Sequence, residues 1–450
     1  DIIFKEGNDI IASNIGPVLN YEDGETTEFV IINNAESDQK LKFYLDIEEI
    51  SDSLKEESFK YVLEISTDGI NYTKYKDGNF KDATTGQLVI SDGETLPSGS
   101  TYYRFIIYID GNMENPISMM NNSLKATFNV TIPFTVADLV EQMKTNVNSN
   151  TPDFSQSSTT DEGIFMSQDD YGTSYYFRGA VTNNYVKFAG YYWRIIRSNG
   201  DGTIRMIYDG TSAHANGEES VDRRIGSSIY NTTYGDNAYV GYMMGIDNQC
   251  ASGSCSGNIN TTSYEQATTN TYNSTVKTYI DSWYETNIEE AGYSDYLADV
   301  VYCNDRSLNT GMGYGTIITN YYAYQRITNE SNPVLTCDQK NDRFTVNDTS
   351  IGNGKLTYPI SLITIDEMIM GGGNYNINND KYYLYIGHTY FTLSPFQFNH
   401  NVAYLFLVNA NGDIVYASSG DIYGVRPVIS LKSTVELSGS GTMEDPYVVQ

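Results

Sequence analysis

Basic residues are scarce in this 450-residue chain: 27 Lys and Arg stand against 57 Asp and Glu, a formal net charge of −30. So few cations cannot furnish the clustered positive surface that neutralises nucleic-acid phosphates, and no nucleic-acid partner is expected. Histidine is scarcer still. The three, His214, His388 and His400, stand in no G-x-S-x-G elbow or comparable context, which sets aside a Ser or Cys triad. No phosphate-binding G-x-x-x-x-G-K-[ST] loop occurs, since Gly371-Gly372-Gly373 closes a helix pattern instead of opening one. Nor does any stretch approach the ~20 consecutive apolar residues of a membrane helix, so no membrane span is expected in this chain. Beginning at Asp1 instead of Met, the sequence is compatible with a removed targeting segment.

What is present is aromatic, small and amide-rich: 40 Tyr, 38 Gly, 40% hydrophobic and 13% aromatic residues. That is enough apolar material for packed cores, and the length suggests roughly three domains. Tyr, Thr and Ile favour strands, whereas Gly, Asn and Asp favour turns, so the chain reads as mainly β with some α. The four cysteines, Cys250, Cys255, Cys303 and Cys337, fit two disulfides and an oxidising, extracellular or cell-surface setting. Three connectivities are open to them. Cys250–Cys255 with Cys303–Cys337 is favoured, and zinc is disfavoured by the lack of a C-x-x-C pair or a nearby His.

Residues 1–132 form a succession of short strand-like runs. In Leu41-Lys42-Phe43-Tyr44-Leu45-Asp46-Ile47 the apolar residues alternate with polar ones, the period of a half-buried strand. Turns are expected at Asp68-Gly69, Asp77-Gly78, Asp92-Gly93 and Asp110-Gly111. The pattern predicts an immunoglobulin-like β-sandwich. Residues 133–162 read as a short helix capped by Thr135 and then a polar linker. Residues 163–450 read as one larger α+β domain. In it Asn199-Gly200-Asp201-Gly202 marks a hairpin, residues 274–287 a helix, Thr364-Ile365-Asp366-Glu367 a capping box, and residues 424–431 a closing strand.

Candidate chemistry is thin. Adjacent acids such as Asp169-Asp170, Glu289-Glu290 and Asp366-Glu367 are commonplace in so acidic a chain and read as solvated or capping groups. No catalytic residue is assigned and no enzyme is expected. The loops 199–202 and 374–380 carry oxygen ligands suited to calcium, but neither matches the twelve-residue calcium loop, so no cofactor is expected and calcium stays a lesser alternative without named ligands. Tyr191, Tyr192, Trp193, Trp283 and Tyr284 could stack on sugar rings, yet the amphipathic spacing around Trp283 favours Trp193 and Trp283 as core anchors.

The runs Tyr175-Tyr176-Phe177-Arg178-Gly179, Tyr192-Trp193-Arg194-Ile195-Ile196, Asp201-Gly202-Thr203-Ile204-Arg205-Met206-Ile207-Tyr208 and Gly424-Val425-Arg426-Pro427-Val428 together resemble a module of surface proteins from low-GC Gram-positive gut bacteria. So do Ile363-Thr364-Ile365-Asp366-Glu367 and Thr392-Leu393-Ser394-Pro395. That module is similar to the C-type-lectin-like fold of formylglycine-generating enzymes. A closely spaced cysteine pair just before Gly424 is missing, so the resemblance implies fold and surface location without oxidase chemistry. More weakly, residues 27–33, 40–47 and 123–132 resemble the sandwich of TasA/camelysin-type biofilm fibre subunits.

That second resemblance implies polymerisation by donor-strand exchange, with Ile2, Ile3, Phe4, Ile10 and Ile11 as the strand given to a neighbouring copy. An incoming strand satisfies both the hydrogen bonds and the groove of an open sheet edge. The competing reading makes residues 1–12 the first strand of their own sandwich. The expectation is therefore a subunit of an extracellular surface filament, self-associating head to tail. A monomeric adhesin for glycan or host surface protein is the alternative.

Overall fold

A computed structural model describes residues 2–5, 15–35, 38–113, 119, 122–247, 261–309 and 313–449. Strand accounts for 41% and helix for 16% of the chain, a mainly-β protein with some α. The chain divides into two compact units, Asp1–Pro133 and Phe134–Gln450.

Among its described residues the first unit holds nine strands: β1 (Ile2–Lys5), β2 (Pro17–Val18), β3 (Glu25–Asn33), β4 (Gln39–Ile50), β5 (Phe59–Ser66), β6 (Thr73–Asn79), β7 (Gly86–Leu96), β8 (Gly99–Asp110) and β9 (Leu124–Thr131). They make two sheets, one in the order β1-β3-β8-β5-β6 with β2 beside β8, the other β7-β4-β9. Alternation does what the sequence implies: Leu41, Phe43, Leu45 and Ile47 are buried on one face of β4,. They meet the opposite sheet through tilted rings, with Phe43 5.0 Å from Tyr103 and Phe105 4.5 Å from Phe128. Two aromatic inner faces closing on one another make this unit sandwich-like.

Two of the expected turns are something else. Asp77-Gly78 lies inside β6, where a Cβ on Gly78 would come within 2.3 Å of the Tyr61 hydroxyl, so the glycine makes room for a cross-strand ring,. Asp92-Gly93 lies inside β7 with Gly93 at φ +72°, where the pairing of β4 with β7 slips register; it is a bulge,.

The second unit begins with the helix Val136–Thr145, capped by Thr135 with Asp138 reciprocating. Its face Val136, Leu139, Val140 and Met143 packs into the same core as Trp193 and Ile204. Residues 134–162 therefore belong to this unit, where the sequence suggested a linker. Ten strands form its larger sheet, centred on Tyr191–Ser198, Ile204–Gly210 and Pro427–Leu431. The first two are the hairpin expected around Asn199–Gly202. A six-stranded sheet combines Gly226–Ile229, Ile422–Val425, Tyr390–Asn399, Val402–Val408, Ile414–Ser418 and Ile318–Asn320. None of these six strands contains a charged residue.

The closing run read as one strand is two. Ile422–Val425 pairs in the six-stranded sheet and Pro427–Leu431 in the ten-stranded one. The chain crosses between sheets at Arg426, which is fully buried.

Candidate functional site

In the first unit the candidate strand is β1. Its backbone runs antiparallel to β3 of the same chain, pairing Ile2 with Asn33, Ile3 with Ile32, Phe4 with Ile31 and Lys5 with Val30. In the single chain this is the second of the two arrangements set out above: the strand completes its own sheet, at its edge. Ile10 and Ile11 lie outside the described residues. So do Cys250 and Cys255, while Cys303 and Cys337 form the expected disulfide.

In the second unit, two of the acidic pairs singled out in the sequence converge on one recess beside that disulfide. Asp169 and Asp170 sit at the turn between Asp161–Asp169 and Gly172–Gly179, where Asp169 Oδ1 accepts from the amides of Tyr171 and Gly172. Asp366 and Glu367 lie in the first turn of the helix Ile365–Met370. Arginines join them. Arg197 donates to Asp169 at 2.8 Å and to Glu367 at 2.9 Å, and Arg205 donates to the same Glu367 oxygen at 2.9 Å. Arg326 grips Asp366 with two 2.8 Å bonds and reaches Asp305 at 3.1 Å. The fork of a guanidinium matches a carboxylate edge, which favours this two-bond geometry.

Glu367 is also the acid of the capping box, its Oε2 accepting from the Thr364 amide and hydroxyl. Burial alone would raise its pKa, but Arg205, Arg197 and the Thr364 amide outweigh burial and bring it down to about 2,. Asp170 moves the other way: burial raises it against the Cys337 amide and Arg343. The recess between these groups has a volume of about 20 Å³, room on the scale of an ordered water. What the arrangement does is tie together the Asp169 turn, the Ile365–Met370 helix and the disulfide-closed segment. The arginines were missed in the sequence because their partners lie far along the chain; Arg197 and Glu367 are 170 positions apart.

His214 is buried with Nδ1 2.8 Å from Glu218 and Nε2 3.0 Å from Asp222, while Ser212 Oγ stands 3.4 Å from Nε2. Both ring nitrogens of His214 meet carboxylates, and the cluster pins the 211–222 loop. Trp193 and Tyr284 are core residues, 0% and 1% exposed. Trp283 and Tyr191 pack beside Trp193 and Tyr208, so this group is a packing cluster. Asp201 spends its side chain on Thr203 within its own hairpin turn, and Asn199 Nδ2 donates to Thr203 and Ser430; among the described residues no group of His, Cys, Asp or Glu is arranged to hold a metal.

Comparison with models of known protein families finds none that matches this chain, and comparison with the curated proteins finds no match.

Proposed function

We propose that this protein is a structural subunit of an extracellular bacterial surface filament, assembled when the β1 strand of one copy takes the β3 edge of the next. The reading rests on one observation: β1 is a short strand at the end of its sheet, held through four residue pairs. Main-chain hydrogen bonds of that kind are supplied equally well by another copy, and exchanging an identical element is a low-cost route to association. If each subunit gives its strand forward and receives one from behind, the contact is head to tail and grows a fibre. The disulfide Cys303–Cys337 and the heavy negative charge support an extracellular location,. The larger unit would be carried along the fibre as its displayed surface.

The register supplies the test. Ile3 and Ile32 are directly opposed, so the Ile3→Cys/Ile32→Cys double variant can be oxidised and run on a non-reducing gel. Exchange predicts a ladder of covalent oligomers from filamentous material seen by electron microscopy, and removal of residues 1–12 ends assembly. A monomer band alone, or filaments unaffected by the truncation, overturns the reading.

A further inference from the structure

The uncharged six-stranded sheet ends at the strand Ile414–Ser418, and on it stands Tyr416, 45% exposed. One face of its ring lies flat on Phe396, with centroids 3.9 Å apart and planes 8° from parallel. Phe396 is itself 3% exposed, locked edge-on by Phe406 at 5.0 Å and Tyr324 at 4.9 Å. Tyr416 is therefore a ring held rigidly from beneath with its other face toward solvent. Tyr375 also lies nearly parallel to Phe396, at 16°, and Tyr404 meets Tyr416 edge-on at 5.6 Å.

The polar fittings around this ring are hydroxyls and an amide. The Asn376 amide donates to the Ile414 carbonyl at 3.0 Å and Tyr375 bridges to Ile414, which holds residues 375 and 376 beside the Ile414–Ser418 strand. Charge is missing from every strand of the sheet, in a chain whose net charge is −30. A phosphorylated, sulfated or carboxylated ligand would meet no cation, and a basic one no carboxylate, on these strands. A flat, rigid aromatic face flanked by neutral donors and acceptors matches the apolar face and ring hydroxyls of a pyranose.

We propose that Tyr416, backed by Phe396 and flanked by Tyr375, Tyr404 and Asn376, is a stacking platform for a sugar ring of a neutral polysaccharide. This site is independent of strand exchange, since it lies wholly in the second unit.

Native gels containing mannan, laminarin or galactan test it, with polygalacturonate and dextran sulfate as charged counterparts. The full chain is expected to be retarded by at least one neutral polysaccharide and by neither charged one, with or without a chelator. Tyr416→Leu keeps an apolar cover over Phe396 but has no ring, and is expected to lose at least tenfold in affinity with an unchanged melting temperature. Tyr416→Trp is expected to retain binding. Should Tyr416→Leu unfold, Tyr404→Phe, which removes only a hydroxyl, is expected to weaken binding severalfold. The proposal is overturned by no retardation in any neutral gel, by retardation in charged gels alone, by loss on chelation, by wild-type binding of a folded Tyr416→Leu, or, should that variant unfold, by wild-type binding of Tyr404→Phe. Binding of a peptide strand at this edge without any response to polysaccharide overturns it as well.

Discussion

Arg426 donates to Asp209 Oδ1 at 2.9 Å with both side chains wholly shielded from solvent. The same oxygen receives Arg223 at 2.8 Å, and Arg426 also bonds the carbonyls of Tyr208 and Leu384. One carboxylate and two guanidinium groups thus fix the place where the chain passes between the two sheets of the second unit. Removing one member of a buried ionic set strands the charges that remain, at a cost of about 3–5 kcal/mol.

Asp209→Ala is accordingly expected to lower the stability of the second unit by about that amount, read from its urea midpoint. Arg104→Ala breaks a part-exposed pair with Glu28 and leaves the buried Glu64 with only its Tyr21 partner, and is expected to lower the stability of the first unit by less than Asp209→Ala costs the second.

Acid should act through Glu367. Its folded pKa, about 2, lies below the unfolded value, so the folded state holds the carboxylate more tightly than the unfolded chain does. That contribution is fully present above the unfolded pKa, near 4.5, and is lost as pH falls through about 2. Urea midpoints measured from pH 7 to pH 2 are expected to fall, and Glu367→Gln is expected to be less stable at pH 7 with a flatter slope below pH 4.5.

Alkali should act through tyrosine. Burial pushes Tyr171 up to about 12, and burial with the Glu219 hydrogen bond does the same to Tyr385. Groups raised in the folded state contribute stability that is complete below their unfolded pKa near 10 and lost as pH rises through about 12. Phenolate absorbance is expected to reveal only part of the 40 tyrosines titrating near pH 10, the rest appearing together with unfolding.

The disulfide closes a loop with a sequence separation of 34. Loop-closure entropy assigns it about 3–4 kcal/mol, so the Cys303→Ser/Cys337→Ser variant is expected to melt at lower temperature. Arg326, within that loop, still grips Asp366, so the fold itself is expected to persist.

Local signals carried much of this architecture. The alternation in β4, the hairpin at Asn199–Gly202, the caps at Thr135 and Thr364 and the Cys303–Cys337 pair each follow from residues close in sequence or from a short menu of partners. The helix expected over 274–287 is an α-helix over Thr275–Tyr284, capped by Ser274. What stayed hidden depends on residues far along the chain. Gly78 reads as a turn until Tyr61 lies across it, and the run around Arg426 reads as one strand until two sheets compete for it. The arginines Arg178, Arg194, Arg205 and Arg426 gave no hint of burial because their partners are set by tertiary packing. Arg178, for instance, clasps the carbonyls of Ile369 and Met370.

The passage of the backbone at Arg426 has a mechanical corollary. A pull applied anywhere beyond Pro427 must tear Pro427–Leu431 from between Ile204–Gly210 and Ser361–Leu362 before it can reach the smaller sheet. Both layers are sewn with one thread, and under tension the larger is unpicked before the smaller.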